Sequence, residues 1–387
     1  VNFELNELLP VDAERALLIG RIFDPAVGGP TVVLVVGDEL VDITSIEATV
    51  SRLLERDDIA SVLRATQSGQ RWALGDVLAA TVAGDADAPR LLSPIDLQVV
   101  KAAGVTFVES MLERVIEERA QGDSARAEAI RDQLIEVVGG AISSVKPGSA
   151  EAEKVKELLQ REGLWSQYLE VGIGPDPEIF TKAPVLSSVG SGSTIGVLSR
   201  SSWNNPEPEV VLAVTSTGEV RGAALGNDVN LRDFEGRSAL LLTEAKDNNG
   251  SCAIGPFIRL FDEHFTMDSV RELLVNLSVR GTDGFVMEGT SSMEKISRDP
   301  EELVEHAYGP HHQYPDGFVL FTGTLFSPVQ DRYAAGAGFT HALGDVVSIS
   351  TPQLGTLRNT VEDSETAPRW EHGIWSLASN LNARNLI

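Results

Sequence analysis

The stretch NNPEPEVVLAVTSTGEVRGAALGND, residues 204–228, places two apolar runs on either side of Ser216-Thr217-Gly218. A short polar turn ending in glycine between such runs is the signature of a β-hairpin. The first strand leaves from Glu209, and the return from Glu219 to Leu225 brings Gly226-Asn227-Asp228 back beside its start. Side chains two apart on a strand share a face, so Glu207 and Glu209 stand side by side there. Two readings are open: a solvated strand end carrying ordinary surface acids, or three carboxylates converging on one cation. Like charges this close repel unless neutralised, and hard oxygen donors select Mg²⁺, Mn²⁺ or Ca²⁺ over zinc.

Around the hairpin the character of the chain changes twice. Residues 31–43, TVVLVVGDELVDI, read as two strands around a Gly-Asp-Glu turn, followed by a helix from about Ile46 to Leu63. Proline and small residues from Ala88-Pro89 to Ser93-Pro94 then break both periodicities, which sets a boundary between a small α+β domain, 1–95, and a larger one, 96–387. Over 107–169 apolar residues recur three and four apart, through Met111, Val115, Ile130, Leu134, Val137-Val138, Val155 and Leu159, which predicts three helices. After Pro175 the chain is rich in strands, with helices expected at Met267–Leu277 and Pro300–His306 and strands in GFVLFTGTLF (317–326) and DVVSIST (345–351). Strands and helices do not alternate regularly, so the expected class is α+β with a rolled, mostly antiparallel sheet rather than a doubly wound one.

The 387 residues include 57 Asp+Glu against 31 Lys+Arg, a formal net charge of −26. That excess, with no basic run to offset it, opposes a nucleic-acid backbone or an anionic membrane surface. A single cysteine, Cys252, forbids an internal disulfide and a thiolate metal cage. Apolar runs such as Val32–Val36 are far shorter than a membrane helix needs, and the first residues carry no signal-peptide pattern. The expectation is a soluble, cytoplasmic protein.

Five ordered motifs carry a family likeness. Glu207-Pro208-Glu209 ahead of an apolar strand, Gly226-Asn227-Asp228-Val229 with Arg232-Asp233, Lys246 before Gly255-Pro256, Thr322-Gly323-Thr324, and Leu343-Gly344-Asp345-Val346-Val347 resemble the fumarylacetoacetate hydrolase superfamily over roughly residues 100–361. Gly20-Arg21 and Gly29-Pro30 are similar to the small N-terminal domain of its longer members. The resemblance implies a mixed β-roll catalytic domain with a helical insertion, and a homodimer or higher homo-oligomer. It implies a divalent ion, usually Mg²⁺, on Glu207, Glu209 and Asp228, gripping a small anionic 2-oxo acid. Lys246 matches the lysine near the ion, and Thr324 the residue that holds the substrate carboxylate.

The family's hydrolases carry an Asn-Tyr-x-x-His-x-x-Glu segment whose His-Glu pair activates water; the matching stretch here is Gly104–Glu113, with Ser110 in place of the histidine and Glu113 retained. Losing that base argues against C–C hydrolysis. On a helix, Glu109 and Glu113 share a face beside Thr106 and Ser110, so Glu113 is expected to move protons while Thr106 and Ser110 meet the substrate; the competing reading is a solvated stripe of Glu109, Glu113 and Glu117 paired with Arg114 and Arg119. The overall pattern is most similar to the sugar-acid members, hydro-lyases that convert 2-keto-3-deoxypentonate to α-ketoglutaric semialdehyde through a Mg²⁺-stabilised enolate. Hydrolysis of a diketo acid or acylpyruvate is the enzymatic alternative, and a non-catalytic sugar-acid binding protein is the alternative of a different class. Gly190–Gly196 spaces its last glycine one residue late for a dinucleotide fingerprint and is expected to be a loop. His311-His312, between prolines, is expected at a surface or subunit contact rather than on a metal.

Overall fold

A computed structural model describes residues 5–134, 142, 145–326, 328, 330–333 and 338–387. The hairpin at residue 204 onward forms as expected: Pro208–Val214 pairs antiparallel with Val220–Asp228. It lies at the centre of an 11-stranded sheet that runs from Arg71–Ala73 through Glu39–Asp42, Gly29–Val36, Leu18–Asp24 and Cys252–Leu260 to the hairpin. Beyond the hairpin the sheet continues through Phe318–Phe321 and Val99–Gly104 to Glu178–Ala183, and the eleventh strand, Arg90–Leu91, pairs with Leu18–Asp24 off this path. Phe318–Phe321 runs parallel to Val99–Gly104, so the sheet is mixed. Leu18–Asp24 pairs with Cys252–Leu260, so this one sheet runs across residue 95.

A second, five-stranded sheet is ordered Val286–Ser292, Leu274–Arg280, Val346–Thr351, Gly355–Asp363, Thr194–Val197, with the last pair parallel. Val210, Leu212, Leu225 and Ala223 of the hairpin face this sheet's Val275, Leu277, Ile349 and Leu357 in one core. The alternate residues Val211, Ala213 and Ala224 face Ile19, Val32, Leu34 and Ile258 in another. A strand buried on both faces has no polar side to present, which is why 210–214 reads as an unbroken apolar run.

Helices Val108–Ala120, Ser124–Leu134, Ala150–Arg161 and Gln167–Ile173 share a separate core built on Met111, Val115, Ile116, Leu159 and Leu169. The 107–169 segment is therefore helical but holds at least four helices; Val137 and Val138 lie outside the described residues. Among the described residues, no helix is long and apolar enough to cross a membrane.

Three element boundaries differ from the sequence expectation, each for a tertiary reason. The helix expected over 46–63 is two, Val50–Leu54 and Ile59–Ala65. The first begins at Thr49, whose hydroxyl caps it by accepting from Arg52 N–H at 3.1 Å, and the buried Asp96 carboxylate adds bonds from Val50 and Ser51 N–H at 2.6 and 2.9 Å. The helix at Met267 stops at Arg271, because Leu274–Arg280 is drawn into the second sheet between two antiparallel partners. Strand 317–326 is confined to Phe318–Phe321, since Gly323 takes a left-handed φ of +90° and turns the chain into the site described next.

Candidate metal centre

The hairpin register sets Pro208 opposite Asn227 and Glu209 opposite Gly226, which places Glu207 across from Asp228 at the open end of the ladder. Two hydrogen bonds lock that end: Glu207 N–H donates to Asn227 Oδ1 at 3.0 Å, and Asp228 N–H to the Glu207 carbonyl at 3.1 Å. All three acids are buried, and one carboxylate oxygen from each lies within 4.8 Å of the others. The reading as solvated surface acids is thereby overturned.

Burial of three carboxylates is tolerated only where positive charge compensates it. Lys246 Nζ contacts Glu207 Oε2 at 2.5 Å and Asp228 Oδ2 at 3.0 Å. Lys182 Nζ lies 2.9 Å from Asp228 Oδ1. Arg114 donates to Glu207 Oε1, and its other terminal nitrogen reaches Glu117 Oε2 at 2.6 Å and Glu235 Oε2 at 3.1 Å. Burial works to raise the Asp228 pKa, but Lys182 and Lys246 together hold it below the ordinary value. Burial likewise disfavours the Lys246 ammonium, yet Asp228 and Glu207 outweigh it and raise its pKa. Among the described residues Glu209 has only the Gly323 N–H as a hydrogen-bond donor, at 2.6 Å, and burial with the neighbouring Asp228 and Glu207 charges pushes its pKa well up.

The donor set fits a hard divalent ion. Its members are oxygens only, three buried carboxylates with one oxygen of each within 4.8 Å of the others.

The cleft beside these carboxylates is lined by Ser110, Arg114, Glu178, Phe180, Glu235 and Thr324, among others. Ser110 and Thr324 are thus brought to the site as the sequence suggested. Thr106 is close behind it but committed: its hydroxyl donates to the Thr322 carbonyl at 2.7 Å, against Gly323, where any side chain would collide with it. Glu113 requires a correction. It does not line the cleft, and both its oxygens are held by arginines: Arg131 at 2.9 Å on each, and Arg232 at 3.0 Å on Oε2. Burial alone would raise its pKa, but the two guanidiniums hold it below the usual range, which makes it a poor base. Glu117 is buried between Arg114 and Arg232, and Glu109 is exposed. His311 and His312 sit in an exposed loop, as expected.

Sequence reasoning missed Glu178, Lys182, Glu235 and any role at this site for Arg114. Glu178 lies on the strand paired with Val99–Gly104, its carboxylate so close to Gly104 that a Cβ there would meet Oε2 at 2.1 Å. Its burial, and then the negative charge of Glu235, lift its pKa to about 7. One signal was available: Glu178, Phe180 and Lys182 alternate along a strand and so share a face.

Residues 175–362 match the fumarylacetoacetate (FAA) hydrolase C-terminal family. The 2-dehydro-3-deoxy-D-arabinonate dehydratase of Saccharolobus solfataricus is 33% identical over 186 residues, 48% of this chain and 59% of that protein. The probable 2-keto-3-deoxyxylonate dehydratase of Haloferax volcanii is 30% identical over 210 residues, 54% of this chain and 68% of its relative. The match therefore spans somewhat over half the length of the first relative. A solved structure, 2-keto-3-deoxy-D-arabinonate dehydratase complexed with magnesium and 2,5-dioxopentanoate, superposes with a TM-score of 0.62 at 22% identity, covering 89% of this chain and 99% of that one, a shared fold. The chain belongs to the fumarylacetoacetate hydrolase family.

Proposed function

We propose that this chain is a Mg²⁺-dependent hydro-lyase that dehydrates a 2-keto-3-deoxy sugar acid, 2-keto-3-deoxypentonate, to α-ketoglutaric semialdehyde. The observation that carries the reading is the buried convergence of Glu207, Glu209 and Asp228. The names of both curated relatives support the substrate class. Mn²⁺ or Ca²⁺ would satisfy the same donors. A divalent ion held there supplies Lewis-acid charge that makes the C3 hydrogen of a 2-oxo acid more acidic.

The chain's own residues supply the rest. Glu178, poised near pH 7 and facing the cleft, takes the proton from C3 in place of Glu113. Lys246, fixed as an ammonium, steadies the negative charge that develops on the C2 oxygen. Thr324 holds the substrate carboxylate, and Ser110 and Arg114, four apart on Val108–Ala120, present their side chains to the hydroxyl-bearing tail. The C4 hydroxyl leaves as water, and two hydrogens relocate from the C5 carbinol to C3 and C4, which yields the aldehyde. Neither a water-activating histidine nor a second base stands at Ser110, so hydrolysis of a diketo acid is the less favoured course.

Incubation of the purified protein with 2-keto-3-deoxypentonate and MgCl₂, with and without EDTA, tests the proposal. One five-carbon semialdehyde, lost with EDTA, is expected. Pyruvate plus a second fragment from a diketo acid would replace the reading by hydrolysis, and ligand-induced stabilisation without product would reduce the protein to a binder.

A further inference from the structure

We propose that Lys182 is a positioning residue of the metal centre, one that fixes the backbone from which Asp228 and Lys246 depart and pairs with the Asp228 carboxylate. The inference rests on the reading of Glu207, Glu209 and Asp228 as metal ligands.

Lys182 lies in strand Glu178–Ala183 with its side chain wholly buried. An ammonium in such surroundings persists only if oxygens take the place of water around it. It has three protons to give and no lone pair. Its hydrogen bonds go to the Val229 carbonyl at 3.2 Å, the Lys246 carbonyl, and Ser251 Oγ at 3.5 Å. Asp228 Oδ1 sits 2.9 Å from the same nitrogen, an ion pair shorter than the Val229 and Ser251 contacts.

Two consequences follow from that geometry. The two carbonyls that Lys182 holds belong to the residue after Asp228 and to Lys246 itself, so one ammonium ties together the backbones from which two site side chains depart. Asp228 is also paired with the ammonium at 2.9 Å, which holds its carboxylate in one orientation. Arginine could not substitute, because its planar fork directs its protons in one plane rather than toward three acceptors around a point.

The test compares wild type, Lys182→Met and Lys182→Arg by calorimetric titration with MgCl₂, and by melting with and without MgCl₂. Loss of a residue that orients a ligand costs metal affinity about 10–100-fold. Lys182→Met is expected to raise the Mg²⁺ Kd by at least about tenfold and to lose most of the Mg²⁺-induced rise in Tm, with Lys182→Arg recovering only part. A lysine that merely stabilises the fold would lower the metal-free Tm and leave the Mg²⁺ Kd within about twofold of wild type, a change below the worth of one hydrogen bond; that result overturns the proposal. Should Lys182→Met fail to fold, Ser251→Ala decides: removing one of the three acceptors is expected to weaken Mg²⁺ about threefold, and unchanged affinity refutes the role. Wild type that takes up no Mg²⁺ defeats the metal centre and the lysine together, whereas wild-type binding with unaltered variants defeats the lysine alone.

Discussion

Replacing Arg114 by methionine should reveal how the site stays neutral when no metal is bound. The guanidinium is buried against Glu117, Glu207 and Glu235, and their combined charge holds its pKa well above normal despite burial. Methionine leaves those acids with Lys246 and Arg232 as their remaining cations. Removing one partner from a buried ionic cluster costs about 3–5 kcal/mol. A chain of this length loses stability at about 0.8 kcal/mol per degree near its midpoint, so the metal-free variant should melt about 4–6 °C below wild type. Mg²⁺ should offset part of that loss. Arg114 occupies Glu207 Oε1 and Lys246 occupies Oε2, so an entering ion must displace one of them. Freeing Oε1 should tighten Mg²⁺ about tenfold, worth about 1.4 kcal/mol, and enlarge the Mg²⁺-induced rise in Tm by nearly 2 °C. Differential scanning calorimetry at saturating and zero MgCl₂ reads both quantities. A metal-free variant that melts within about 1 °C of wild type, or a Mg²⁺-induced rise no larger than wild type's, would refute the competition between arginine and metal.

Glu178→Gln should lower kcat about 10²–10⁴-fold while Mg²⁺ affinity measured by calorimetry stays put. Glu178 must be ionised to take a proton and its pKa is raised to about 7, so wild-type activity should fall as pH drops through or somewhat below that value, the ion's positive charge moving the limb only downward; the limb should vanish from the variant's residual activity. Glu113→Gln should behave oppositely, losing about 3 kcal/mol of stability as Arg131 and Arg232 lose their anion but keeping kcat; a collapsed kcat at unchanged Tm would restore Glu113 to the chemistry. Asp12→Asn should cost about 3 kcal/mol, because both Asp12 oxygens pair with the buried Arg259 at 2.8 and 2.7 Å. The Arg259 hydrogen bond holds the Asp12 pKa below 3.8, so the stability gap between wild type and variant should be full at neutral pH and close as pH falls below that value, read from urea melts along a pH series.

The hairpin and its acids were legible because every contact they need is local in pattern. The apolar runs and the Ser216-Thr217-Gly218 turn marked the two strands and their return, while a bulge at Arg221, between the Val214–Val220 and Ala213–Gly222 pairs, shifts the register by one and sets Asp228 rather than Asn227 across from Glu207. Lys246 and Thr324 could be named because they stand in motifs that resemble the family's, and Ser110 because it shares a helix face at the place of the family's histidine. Glu113 could not be judged in the same way: its helical spacing was read correctly, but Arg131 and Arg232, which take it out of service, come from other elements. Glu178 and Lys182 were invisible for the converse reason, since nothing in EIFTKA says that this strand lies at the sheet's far edge, beside Val99–Gly104 and over the carboxylates. Short-range periodicity thus determined the strands and the acidic pair, because the faces of a strand are set by covalent geometry, while the bulge that sets Asp228 across from Glu207 belongs to the folded sheet. Which acid is ionised, which is clamped and which is poised was decided by tertiary structure alone, because electrostatic environment depends on neighbours that only folding brings together.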